Sequence, residues 1–325
     1  MATCIFRSAM SHRLGMYLET RCLGGQNRVL EIKRLTMLDR FFRRTLSGGQ
    51  AITREIVEKF VDSLEHLNPS TRCNYICWFK NFCIYLSHFD RRTCFVYVRG
   101  PRRKRRPPHI FSRAEVCRII AAGSNVPDED GLRRELFGTL VGLLFATGLR
   151  IGEAIRLTLG DVNLEKGLLE VRKTKFNKKR YVTISGSTSA RLAHYLRLRK
   201  RAGHSLDSKA RFFPSSRGHP LGYTYFVETF LRVIRRIGLR AAPGQPGPHL
   251  HDLRHSFAVS RLVEWQRAGE NLNAKLPVLA TYLGHSTLSG LNVYLHTTAE
   301  MLEKASQRFH DHFAIPFRRK ERCAR

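Results

Sequence analysis

The sequence predicts a mainly α protein with one small β-hairpin, arranged as an N-terminal helical bundle followed by a larger mixed α+β domain. Three observations carry this reading. Apolar residues recur at helical spacing, as in Ile56, Val57, Phe60, Val61 and Leu64. Two short runs, Leu168 to Arg172 and Tyr181 to Ile184, read as strands on either side of the polar stretch Thr174 to Arg180. A basic, proline-flanked run, Pro101 to Pro108, divides the chain.

In chain order, helices are expected at about Ser11 to Arg21, Gln26 to Arg44, Thr53 to Leu67 and Ser70 to Phe89, with Asn68-Pro69-Ser70 as a turn into an N-cap. These form the first domain, residues 1–100. Its cations include Lys33, Arg34, Arg40, Arg43 and Arg44, which either track a polyanion or form a solvated face. Residues 101–109 form a linker in which consecutive cations between prolines stay extended, as a strap across a groove or as a solvated hinge. The second domain, residues 110–325, opens with a capping box at Ser112-Arg113-Ala114-Glu115. Leu136 to Thr147 is apolar nearly all round and therefore buried, and Gly148 suits its C-terminus. After the hairpin, helices are expected at about Thr188 to Ala202, Tyr223 to Arg240, Asp252 to Arg267, Leu276 to Leu283, Ser289 to Leu295 and Thr298 to Phe313.

Charge narrows the partner. Among 325 residues, 57 Lys and Arg face 26 Asp and Glu, a formal net charge of +31. With 42% apolar residues the chain can build folded cores, so this excess sits on a globular protein and points to nucleic acid. No apolar run is long enough to span a bilayer, and the N-terminus lacks the apolar core of a signal peptide. The eight cysteines form no CxxC pair, which reads as small buried residues of a reduced, cytoplasmic protein.

The chemistry gathers around His249-Leu250-His251-Asp252-Leu253-Arg254-His255. His251 and Arg254 stand at i and i+3, one helical face apart from Leu253, Phe257 and Ala258. A guanidinium offers a fixed fork of donors matched to phosphate, and an imidazole donates a hydrogen bond or moves a proton near neutral pH. Three further pieces stand in the same domain. They are Ala146-Thr147-Gly148-Leu149-Arg150-Ile151-Gly152-Glu153, the basic hairpin around Lys175, and Leu283-Gly284-His285 followed by Tyr294 nine residues later.

In that order and spacing the four pieces resemble the tyrosine recombinase (phage integrase) family, from about Ser112 to Arg308; over the N-terminal bundle the likeness is architectural only. The resemblance implies a core-binding bundle joined to a recombinase catalytic domain. It implies that Arg150 and Arg254 are the two active-site arginines, and that Lys175 is the hairpin lysine, with Lys173, Lys178 and Lys179 as rivals. His251 pairs with Arg254, His285 fills the position that holds His or Trp, and Tyr294 is the nucleophile, with Tyr282 as its nearest rival. His255 completes the pattern as support or packing, and Glu153 either orients Arg150 or faces solvent.

These residue types suit phosphodiester transfer. A Tyr hydroxyl attacks in line and stores the bond energy in a covalent link, which the resemblance implies is a 3′-phosphotyrosyl one. Two guanidiniums and a His285 donor stabilise the charge that builds on the non-bridging oxygens. The leaving 5′-oxygen needs a proton, which the resemblance implies comes from Lys175, and His251 is expected to serve as base or proton partner for Tyr294. Such a site needs no metal, and the sequence offers no acidic cluster to hold one. The expected partner is double-stranded DNA, and the resemblance implies four protomers on two DNA sites, with no membrane, no small-molecule substrate and no cofactor expected. The apolar stripe Leu302, Ala305, Phe309 and Phe313 docks either on a neighbouring protomer or on its own domain. The rival functions are a type IB topoisomerase-like relaxing enzyme and a DNA-binding protein without catalysis.

Overall fold

The computed structural model describes residues 5–48, 50–94, 107–123, 132–172, 179–215 and 218–284. The chain divides into two compact units, Met1–Arg106 and Pro107–Arg325.

The described residues of the first unit hold four helices: α1 (Ser11–Leu23), α2 (Arg28–Thr45), α3 (Arg54–Asp62) and α4 (Pro69–Ser87). Asn27 and Asn68 cap α2 and α4 by accepting from the Leu30 and Thr71 amides, which satisfies two otherwise orphaned donors. The core is aromatic: Phe42, Phe60 and Phe82 are fully buried, and the Phe60 and Phe79 rings lie 4.4 Å apart. The expected helix from Thr53 to Leu67 is shorter. It ends at Asp62 and gives way to turns that still bury Leu64. Lys33, Arg40, Arg43 and Arg44 are exposed on α2. Arg34 is not part of that face; its guanidinium lies 4.7 Å from the centre of the Trp78 ring and pairs with the buried Glu31.

The second unit runs α5 (Arg113–Ala122), α6 (Leu132–Thr147), the one-turn helix α7 (Ile151–Ala154), a 3₁₀ turn (Leu159–Asp161), strands β1 (Val162–Asn163), β2 (Leu168–Val171) and β3 (Arg180–Thr183), then α8 (Gly186–Arg201), α9 (Tyr223–Arg236), α10 (Asp252–Arg267) and α11 (Leu272–Leu283). The Ser112 and Glu115 capping box forms as read, with both reciprocal hydrogen bonds present. Helix α6 is buried around its circumference, from Leu136 and Phe137 to Leu143 and Leu144. The strands make an antiparallel sheet in the order β1-β2-β3, with Leu169 opposite Val182, both buried. The two-residue β1 is too short to show a period-2 pattern, so the hairpin gains a strand that the sequence did not announce.

Helix α11 starts four residues before its expected start at Leu276 and contains Pro277. Asn271 caps it by accepting from the Asn273 and Ala274 amides. The Ser256 hydroxyl on α10 accepts the Phe111 amide at 2.7 Å and donates to the Asp252 carbonyl at 2.7 Å, which ties the start of this unit to α10. Of the cysteines, Cys83 is buried and its pKa is pushed up to about 12 by burial, as a packing role requires. Cys77 and Cys117 are exposed, against the expectation of burial. No helix among the described residues is long and apolar enough to cross a membrane. The expected helices from Ser289 onward and the apolar stripe at Leu302 to Phe313 lie outside the described residues.

Candidate active site

Three of the four sequence pieces meet where α6 ends, α10 begins and α11 ends. Helix α6 stops at Gly148, which takes φ +63°, the left-handed backbone that glycine adopts without penalty. The turn aims the Gly148 carbonyl at α10, where it accepts from Arg254 Nη1 at 2.7 Å. Arg254 Nη2 donates to the Leu283 carbonyl at 2.7 Å. Arg254 is 1% exposed, so one buried guanidinium stitches the start of the Arg150 segment to the end of α11.

Arg150 caps α7 with extended backbone. Its Nη1 donates to Glu153 Oε1 at 3.0 Å and its Nη2 to the Gly284 carbonyl at 3.3 Å. The Arg150 side chain stays 41% exposed, open to a ligand from solvent. Its amide also donates to Glu153 Oε2 at 2.9 Å. Glu153 is buried and does not face solvent, which decides between the two sequence readings of this residue.

The sequence reading missed Arg180, the first residue of β3. Its Nη1 and Nη2 donate to Glu153 Oε1 and Oε2 at 3.0 and 2.8 Å, and its Nε donates to the Tyr282 carbonyl at 2.9 Å. A signal for it exists. Arg180 is in phase with Val182, the buried residue of β3, so its side chain shares the inward face and needs a buried partner. Burial pushes the Glu153 carboxyl up, but the hydrogen bonds and charge of Arg180, then those of Arg150, prevail and hold its pKa at about 2.

His251 is the exposed N-cap residue of α10; its backbone is already helical (φ −66°, ψ −21°) and its carbonyl accepts the Arg254 amide at 3.1 Å, so it stands one turn before the buried Arg254, at the spacing expected. Its ring meets His255 edge-on, with centroids 4.8 Å apart. Crowding by protein atoms, then the cations Arg254 and Arg150, lower its pKa from 6.5 to about 4, with Glu153 opposing. His251 is therefore neutral at pH 7 and able to accept a proton or a hydrogen bond. Because its folded pKa is depressed, His251 contributes stability above pH 6.5 that is lost as the pH falls towards about 4. Glu153, depressed from 4.5 to about 2, adds a second loss below pH 4.5. Denaturant titrations at stepped pH are expected to show both stages, and His251→Asn to remove the first alone.

Tyr282 behaves as a packing residue. Its ring stacks on Phe257 at 5.5 Å, its hydroxyl donates to the Thr183 carbonyl at 3.2 Å, and burial pushes its pKa to about 12. That is the opposite of an activated nucleophile. Lys175, His285 and Tyr294, with the lysine rivals Lys173 and Lys178, lie outside the described residues. Of the lysine rivals, Lys179 is described, and it pairs with Glu170 at 3.3 Å.

The open Arg150 and the neutral, exposed His251, with the buried Arg254 behind them, make a corner suited to an anion such as a phosphodiester. The phage integrase family profile matches residues 110–301. The chain is 40% identical over 233 residues to the "Putative integrase/recombinase y4rE" of Sinorhizobium fredii, covering 70% of this chain and 73% of that protein. It is 34% identical over 206 residues to the tyrosine recombinase XerD of Pseudomonas aeruginosa, covering 62% of each. Among solved structures, the Tn1549 transposon integrase in complex with transposon right end DNA superposes with a TM-score of 0.68 at 17% identity, over 95% of this chain and 100% of that one. The XerH site-specific recombinase bound to palindromic difH substrate gives a TM-score of 0.64 at 20% identity, over 86% of this chain and 80% of that one. The chain belongs to the phage integrase family of tyrosine-type site-specific recombinases.

Proposed function

We propose that this recombinase cleaves and rejoins double-stranded DNA through Tyr294. The Tyr294 oxygen forms a bond to the scissile phosphorus as the bond to the 5′-oxygen breaks, and Lys175 protonates that leaving oxygen. Arg150, Arg254 and His285 stabilise the charge on the non-bridging oxygens, and His251 takes the tyrosine proton. A 5′-hydroxyl from a second duplex then attacks the phosphotyrosine and releases Tyr294, which completes the exchange without loss of a phosphodiester.

The observation that carries this reading is the stitched corner. Arg254 holds the Gly148 and Leu283 carbonyls, while Arg150 holds Gly284, the residue before His285. Three separate sequence pieces are thereby brought to one place, which is what a shared phosphate requires. The net charge of +31 supports a duplex partner, because phosphate contacts supply most of the affinity. The assembly that fits strand exchange is four protomers on two sites. The 101–109 segment serves as the basic linker between the core-binding bundle, residues 1–100, and the catalytic domain, residues 110–325.

A plasmid carrying two copies of the cognate site, recovered by selection from flanking or random DNA, tests this function. Resolution or inversion between the sites is expected. Relaxation of a supercoiled plasmid lacking the site, with no exchange between sites, would identify a relaxing enzyme instead.

A further inference from the structure

Two guanidiniums share the buried Glu153, and only one of them is open to solvent. The Arg150 side chain is 41% exposed, whereas those of Arg180 and Glu153 are 11% and 4% exposed. Arg180 grips both carboxylate oxygens, at 3.0 and 2.8 Å, and Arg150 Nη1 reaches one at 3.0 Å. The charges of the three add up to one net positive. Without Arg180 the Glu153 charge would fall on Arg150 alone, and the pair would sum to zero. At contact distance near a protein surface, that difference is still several times thermal energy.

We infer that Arg180 is a positioning residue for strand cleavage: it takes up the charge of Glu153, so that Arg150 presents an uncancelled cation to the phosphate. The inference rests on the proposed role of Arg150. The same side chain fixes the segment before His285, since Nε donates to the Tyr282 carbonyl at 2.9 Å. Gly284 fits this arrangement. It has φ +68°, and a Cβ there would stand 2.9 Å from Arg180 Nη1 and 3.1 Å from its Cζ. A side chain at Gly284 would push the guanidinium away, so the glycine leaves room for the fork. Arg180 also stands five residues after Lys175, at the foot of the hairpin. One arginine thus sets the charge of Arg150 and anchors the end of α11, the segment before His285.

The test is single-turnover cleavage of a suicide duplex at saturating protein, with DNA affinity and thermal unfolding measured in parallel. Arg180→Gln is expected to slow cleavage about 10- to 100-fold, the range found when a group that orients a ligand is removed. DNA affinity should change much less. Glu153→Gln in the Arg180→Gln background removes the uncompensated carboxylate, so the double variant should cleave faster than Arg180→Gln alone. A purely structural arginine would give a double variant no faster than the single one. Arg180→Lys keeps the charge and loses the fork, and should fall between wild type and Arg180→Gln while folding normally. The inference is overturned if Arg180→Gln cleaves at the wild-type rate, or if the double variant is as slow as the single one. Arg150→Ala run alongside separates the levels. If it leaves cleavage intact, the role of Arg150 fails. If it is slow while Arg180→Gln is normal, only the present inference fails.

Discussion

Arg150→Ala is expected to slow DNA cleavage by on the order of 10²–10³, the loss found when one preorganised donor to a developing oxyanion is removed. The structure predicts that this loss falls on the chemical step and not on folding. The Arg150 side chain is 41% exposed, and its partner Glu153 keeps both hydrogen bonds from Arg180, so no carboxylate is orphaned. Thermal unfolding should shift little. Arg150→Lys should recover little activity. A compact ammonium cannot reach Glu153 and the Gly284 carbonyl while also facing a phosphate. Single-turnover cleavage at saturating protein measures the effect. Cleavage within a few-fold of wild type, with unchanged stability, would remove Arg150 from the site.

Gly148→Ala is expected to damage the fold and the site together. An L-residue at φ +63° carries a left-handed penalty of about 1–2 kcal/mol. The added Cβ would also stand 2.6 Å from Phe257 Cδ1 and 2.9 Å from Leu283 Cδ2. Both side chains belong to the core cluster around α10 and α11, so neither can swing into solvent. Overpacking of this kind costs about 1–3 kcal/mol, which with the backbone penalty makes about 2–5 kcal/mol in all. The strain falls on the residue whose carbonyl Arg254 holds, so activity should drop even where the protein stays folded. Gly203→Ala is the internal control. Gly203 has φ +76° with nothing within 4 Å of an added Cβ, so it should lose the backbone part only. Denaturant midpoints of the two variants read the difference. Equal losses would mean that Phe257 and Leu283 yield freely.

Much of this architecture was legible because its signals are local. The capping box at Ser112, the apolar circumference of α6, and the alternation in β2 and β3 each lie within a few consecutive residues. The ends of elements were less legible where local preference met tertiary packing. The helix expected from Leu276 begins at Leu272, where Asn271 supplies the cap, and runs through Pro277. The expected helix to Leu67 stops at Asp62, although Leu64 keeps the helical register that suggested it.

The site divides in the same way. His251 and Arg254 could be named from their spacing and Arg150 from the family resemblance, and the structure brings them together. What spacing could not supply was the division of labour. Arg254 is buried and clamps two carbonyls, Arg150 remains open, and His251 stands exposed at the N-cap of α10. Arg180 escaped because its partner Glu153 stands 27 residues earlier in the chain. The inward phase of β3 pointed to a buried arginine, but no local pattern names a carboxylate that far away.

The most direct test of the central claim is covalent capture. A nicked suicide duplex carrying the cognate site is incubated in EDTA with the wild type and with Tyr294→Phe, then denatured. A protein–DNA adduct is expected from the wild type alone, which would place the nucleophile at Tyr294 and show that no divalent metal is required. An adduct that persists with Tyr294→Phe would contradict the account and move the nucleophile to another side chain. Tight DNA binding with no adduct from either protein would contradict it more deeply, leaving a DNA-binding protein without strand cleavage.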